Sequence, residues 1–321
     1  MKLDSEAVLK SIEAQHGLLV ERAKGIYSFS HLTFHEYFAA REIVTNSAYE
    51  TLVVHLTEKR WREVFLLTAS MMRNADNLLQ LIKQKTDRLL VIDEKLQHFL
   101  MWLNQKSLFI TAPYKPSAIR AFYLRNEFDC ITLSDDFLNI DSRIDRNFEF
   151  IEYAEYDFSK LSSYEICFPL DSALSSILNK AHILSSLLHN LLNINSKSFK
   201  ESYSYFRDYQ LDECFNFIRD HKLHDEISKL KEELPTLNSR TIHCLEWWQN
   251  YGHNWTVKLR KLLIKHRNIR HDWQFTDRHI ELLCQYYNGN NLLIDCLNSD
   301  CYVSRKVREE IENTLLLPNK N

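Results

Sequence analysis

Apolar residues return every three or four positions through most of the chain, and the exceptions gather near its start. Ser5 to His16 alternates polar and apolar residues with helical spacing, and Gly17 follows as a C-terminal cap. Leu18–Val20 and Ile26–Phe29 read instead as two short strands. The turn Arg22–Ala23–Lys24–Gly25 lies between them, with Gly25 at the position that calls for a positive φ. A second helix is predicted from about Thr33 to Val44. There Phe34, Tyr37 and Phe38 fall at i, i+3 and i+4, and Val44 extends the same face.

Helix, two-stranded wing and helix make the tail of a winged-helix module, placed at residues 1–47. From Tyr49 onward the pattern predicts no strand. Helices are expected over about 61–72, 75–85 and 93–106, with others through Tyr156 and one opening at Tyr114–Lys115–Pro116. No fixed period repeats, so residues 48–165 read as an irregular helical array. The charged, aromatic-rich stretch Asp135–Ser163 reads as its loosest connection. A C-terminal helical domain is assigned to 166–321. Its clearest helix is expected to follow Pro169, with Asp171 as N-cap. That helix carries a stripe of Leu174, Ile177, Leu178, Ala181, Leu184, Leu188, Leu191 and Leu192, which reads as bundle core rather than as a coiled-coil or partner-binding face. Interruptions are expected at Pro235 and Gly252. A last helix is capped by Ser304, carries Val307, Ile311 and Leu315, and is stopped by Pro318.

Composition agrees with a mainly α protein. Only 4 glycines and 5 prolines occur in 321 residues, too few for the turns of an extended sheet. A net charge of −3 gives no whole-chain field for nucleic acid or anionic lipid. Charged residues through the first twenty positions exclude a secretory signal there, and no uncharged apolar run is long enough to span a bilayer. The 7 cysteines are scattered, without CxxC, as in reduced cytoplasmic proteins.

The string Tyr27–Ser–Phe–Ser–His31–Leu–Thr–Phe–His–Glu36–Tyr–Phe38–Ala–Ala–Arg41, entered through Gly17–Leu18–Leu19–Val20–Glu21, resembles the winged-helix signature of NACHT-type STAND signalling ATPases. The far end is similar to the C-terminal helical domain of cyanobacterial NACHT conflict proteins. The residues that carry this likeness are His271–Asp272–Trp273–Gln274–Phe275 and the run from Cys296 to Pro318. The resemblance implies a non-catalytic regulatory and recognition region of an anti-phage defence protein. Its partners would be a NACHT NTPase domain and a protein or phage-derived trigger. The histidine at the position of His31 would reach the phosphates of ADP held by that NTPase domain. His35 departs from the glutamine usual in the family.

Direct chemistry is sparse. No glycine pair has the GxxxxGK[ST] spacing of a phosphate loop, so the chain is not expected to be the ATPase, and ATP or ADP is implied only for the parent enzyme. Neither His266 with His271 nor Cys296 with Cys301 has zinc-ligand spacing, so no metal is expected. Two other readings stay open. One is a HEPN-like helical ribonuclease using Arg260 and His266. The other is a stand-alone helical protein-binding adaptor. The basic run Lys258, Arg260, Lys261, Lys265, Arg267 and Arg270, near Trp255 and Trp273, reads as a solvated helix face rather than a nucleic-acid surface. Of the adjacent Trp247 and Trp248, one is expected in the core and one at a helix contact.

Overall fold

The structure, a computed structural model, describes residues 5–127, 140–145, 163–189, 196–236 and 241–317. The expected loose connection at 135–163, the stripe positions Leu191 and Leu192, and Pro318 lie almost wholly outside these residues. The described residues are mainly helical, with one two-stranded antiparallel sheet near the N-terminus. They form two compact units, 1–97 with 277–321, and 98–276.

The first unit opens with α1 (Ser5–His16), β1 (Leu19–Ala23), β2 (Ile26–Phe29) and α2 (Leu32–Thr45). Leu19 pairs with Phe29 and Glu21 with Tyr27. The turn is tighter than the pattern suggested, because β1 runs on to Ala23 and only Lys24 and Gly25 remain. Gly25 turns the chain at φ +74°. Its amide donates to the Glu21 carboxylate at 2.7 Å, while the Glu21 amide donates to Glu13 of α1 at 2.9 Å. Short helices α3 (Tyr49–Val53), α4 (Arg62–Met71) and α5 (Asp76–Arg88) follow, and α6 (Glu94–Phe109) carries the chain into the second unit.

The chain returns to the first unit with α14 (Asp277–Asn298) and α15 (Arg305–Thr314). Helix α14 packs on α5 closely enough that a Cβ at Gly289 would lie 2.7 Å from Thr86 Oγ1. The turn before α15 is tied to the start of α5: the Ala75 amide donates to Tyr302 O, and the Ser304 amide to Asp76 Oδ1. Ser304 caps α15 through its hydroxyl, and Val307, Ile311 and Leu315 are buried, as their spacing predicts.

In the second unit, α9 (Ser163–His189) and α13 (Thr241–Arg267) form the central pair. Around them lie α7 (Pro116–Glu127), α8 (Ile140–Ile144), α10 (Ser196–Ser204), a π-helical turn Tyr205–Gln210, α11 (Leu211–Phe215) and α12 (His221–Glu232). Two expectations are corrected here. Asp171 is not an N-cap, because α9 begins before Pro169 and runs through it. Gly252 does not interrupt a helix. It lies buried within α13, where a Cβ would come within 2.8 Å of the Trp248 ring, so close side-chain packing rather than a break accounts for the glycine. Leu174, Ile177, Leu178, Ala181 and Leu184 are core, which settles that part of the stripe as bundle interior. Trp248 is buried, while its neighbour Trp247 is only partly covered, against Tyr251. Two of the buried indoles find acceptors: Trp248 Nε1 donates to Ser185 Oγ at 3.1 Å and Trp255 Nε1 to Leu230 O at 2.8 Å.

Candidate functional site

His31 sits between wing and helix. Its backbone is extended (φ −130°, ψ 145°) and it occupies the N-cap of α2. Its ring makes no hydrogen bond among the described residues and is exposed, with Phe34 as a tilted neighbour at 6.2 Å. The geometry follows from the local sequence. Ser30 N donates to Leu18 O at 2.9 Å, closing the hairpin beside the helix start. Phe29 stacks on Phe38 at 5.5 Å and on His35 at 5.8 Å, fixing β2 against the first turns of α2. His35, which stands where the resemblance led us to expect glutamine, thus has a packing partner. Below this, Ala40 is fully buried where α2 packs on α4. Leu32 is 70% exposed, and Tyr37 and Phe38 are exposed as well.

The residues of the ribonuclease reading do not assemble. Arg260 extends one guanidinium nitrogen to His182 Nε2 of α9 at 2.9 Å. His266 meets Glu226 of α12 at 3.2 Å, with Asp220 at 3.8 Å. The two side chains therefore face different helices.

The basic run is also not one solvated face. Lys258 pairs with Glu233 at 2.8 Å and Lys265 with Glu226 at 2.6 Å, so α12 neutralises this side of α13. Arg267 turns inward to Asp171 at 2.6 Å. Arg270 lies beyond the end of α13 and is 5% exposed. Arg270 is not on that helix face because α13 ends at Arg267, and Arg267 itself faces the interior. Trp273 belongs to an aromatic cluster with Phe99, Trp102 and Phe275 rather than to a basic surface.

Three buried polar groups went unread in the sequence. Asp171 accepts from Tyr123 Oη and from Arg267 Nε, both at 2.6 Å, with Lys106 Nζ at 3.7 Å. Burial pushes the Tyr123 hydroxyl well above its usual range, with Asp171 adding to the effect, and burial lowers Lys106. Glu127 accepts from the amides of Arg270 and His271 and from Trp273 Nε1. Its burial raises it to about 7, against the pull of those donors and of Arg270. Lys83 and Asp87 pair inside the first unit, where burial raises Asp87 to about 6 despite Lys83. Asp171 and Glu127 meet their partners only through helix packing, whereas Lys83 and Asp87 stand four apart on α5, a spacing visible in the sequence.

No three metal-capable side chains converge among the described residues, and no described helix is long and apolar enough to cross a membrane. Residues 4–43 match the family model described as a winged helix-turn-helix domain C-terminal to NACHT. Residues 223–318 match the model described as NACHT C-terminal helical domain 2. No curated protein and no solved structure matches the chain.

Proposed function

Since this chain carries the C-terminal accessory region of a NACHT protein, we propose that it is the regulatory and recognition part of a signalling ATPase of that kind, acting in the cytoplasm in anti-phage defence. Its winged-helix end would close on a NACHT NTPase domain. His31 would donate to the diphosphate of bound ADP and so favour the resting state. The modules would be 1–47 for nucleotide-state sensing, 48–165 as helical array, and 166–321 as the C-terminal helical domain, the last two receiving a protein or phage-derived trigger.

The observation that carries this reading is the placement of His31. An imidazole that is exposed, without hydrogen bonds among the described residues, and set at the positive end of a 14-residue helix suits an incoming anion. The exposed apolar side chains Leu32, Tyr37 and Phe38 nearby suit a protein surface carrying that anion. A contact of this kind can lock one state and release it when the diphosphate moves or changes, which is a population shift rather than catalysis.

The test is association of the chain with the matching NTPase domain, with and without ADP, for wild type and His31→Ala. A charge-assisted hydrogen bond contributes about 1.5–3 kcal/mol, so the ADP-dependent gain in affinity should fall by about tenfold or more in the variant. Association that ignores both ADP and the substitution would sink the sensor role and favour a stand-alone adaptor.

A further inference from the structure

Residues 268–276, the connection between α13 and α14, are the last of the second unit before the chain returns to the first. Three non-glycine residues within this connection hold left-handed backbone: Asn268 at φ 52°, Arg270 at 62° and Gln274 at 48°. Side chains rarely adopt that region without something to hold them there. The holder is visible at the C-terminal end of α7. One oxygen of Glu127 takes the Arg270 amide, and the other takes the His271 amide and Trp273 Nε1, each of these last two at 3.1 Å. The Arg270 guanidinium closes the same corner on Asn126 O at 2.8 Å, Glu127 O at 3.3 Å and Asn179 Oδ1 of α9. Beyond it, Trp273 and Phe275 lie edge-on to Phe99 at 5.1 and 5.6 Å, and Trp273 lies at 5.6 Å from Trp102.

We propose that this connection is a two-state latch, closed by one buried carboxylate that takes three donors from four consecutive loop residues. Opening returns the left-handed residues to ordinary backbone and releases Trp273 from the Phe99–Trp102 face. It thereby uncovers an aromatic surface. The three donors share one acceptor group, so they are released together. The latch does not depend on the reading of His31.

Of the titratable and charged groups that face the carboxylate, Arg270 and His271 come from the loop itself and Lys106 from α6. Burial, which raises Glu127, acts against the pull of the three donors.

The test is native-state hydrogen exchange by NMR on the whole chain. It follows the Arg270 and His271 amides and the Trp273 indole N–H, with the Leu259 and Leu263 amides of α13 as core references. A latch predicts that the three reporters exchange with one common opening constant, independent of low denaturant and at least 100-fold larger than that of the references. Trp273→Phe removes one donor and keeps the ring, so the Arg270 and His271 amides should exchange at least fivefold faster with the global unfolding midpoint nearly unchanged. Glu127→Gln should have a larger effect on the same two amides. Exchange of the reporters only through global unfolding, in step with Leu259 and Leu263, would show a rigid tie and overturn the proposal. Unrelated opening constants for the three reporters would overturn it too.

Discussion

Gly289→Ala isolates the packing of α14 on α5. In a solvated helix the change should stabilise, since alanine is favoured over glycine by about 1 kcal/mol. Here the added methyl would lie 2.7 Å from Thr86 Oγ1 and 2.9 Å from Cγ2. Thr86 cannot swing aside freely, because it is fully buried and its hydroxyl donates to Ile82 O at 2.8 Å. Rotating it away would leave that hydroxyl without its acceptor, at about 1–3 kcal/mol. Keeping it in place would push the helices apart, at about 1–3 kcal/mol for overpacking. Either route exceeds or cancels the propensity gain, leaving a net loss of about 0–2 kcal/mol. The assay is urea unfolding, with Thr86→Ala as the second arm of a double-mutant cycle. In the Thr86→Ala background Gly289→Ala should become neutral or stabilising. A single Gly289→Ala variant that is more stable than wild type by about 1 kcal/mol would refute the close approach.

Two further outcomes follow from buried charge. Glu127 and Asp87 both titrate higher in the folded chain, at about 7 and about 6, than their ordinary 4.5 and 3.8. The folded state therefore holds protons that the unfolded state has released, so stability falls as pH rises from about 4 through 7, by up to about 3 kcal/mol for each group. Urea midpoints that rise between pH 5 and 8 would contradict this. Asp171→Asn leaves Arg267 and Lys106 without their buried counter-charge. It should cost about 3–5 kcal/mol in the same assay, and a loss below about 1 kcal/mol would mean that the pair is solvated.

What the sequence made legible is local. The hairpin and α2 could be read because glycine at a turn and rings at helical spacing act within a few residues. The last helix could be read because Ser304 and its apolar row announce it. What it hid depends on partners far along the chain. Asp171 follows Pro169, which suggests a helix start, yet proline fits inside α9 and Asp171 is needed for Arg267, 96 positions away. Arg270 looked like another exposed cation because nothing nearby in sequence shows Glu127 waiting 143 positions before it. Gly252 looked like a break because glycine disfavours helices on average, whereas here the neighbouring Trp248 ring leaves no room for a side chain. The two compact units are invisible to any local reading, since one of them is assembled from both ends of the chain.

These contrasts separate two classes of charged or polar residue, and the separation can be measured. The groups that hold the fold are buried and answered: Asp171 by Tyr123 and Arg267, Glu127 by three N–H donors. Replacing them should lower stability, because an unanswered charge stays behind in a low-dielectric interior. His31 is the opposite case, exposed and without a side-chain hydrogen bond among the described residues although it stands at a helix start where a side-chain cap would be useful. Alanine there loses no internal hydrogen bond, so the unfolding free energy of His31→Ala should stay within about 0.5 kcal/mol of wild type. If the sensor reading holds, the same variant loses about tenfold or more of its ADP-dependent affinity for an NTPase domain. Stability and binding should thus part company at this one position. If His31→Ala instead loses stability by 1 kcal/mol or more, with ADP-dependent binding intact, the side chain is a structural cap and the phosphate role falls.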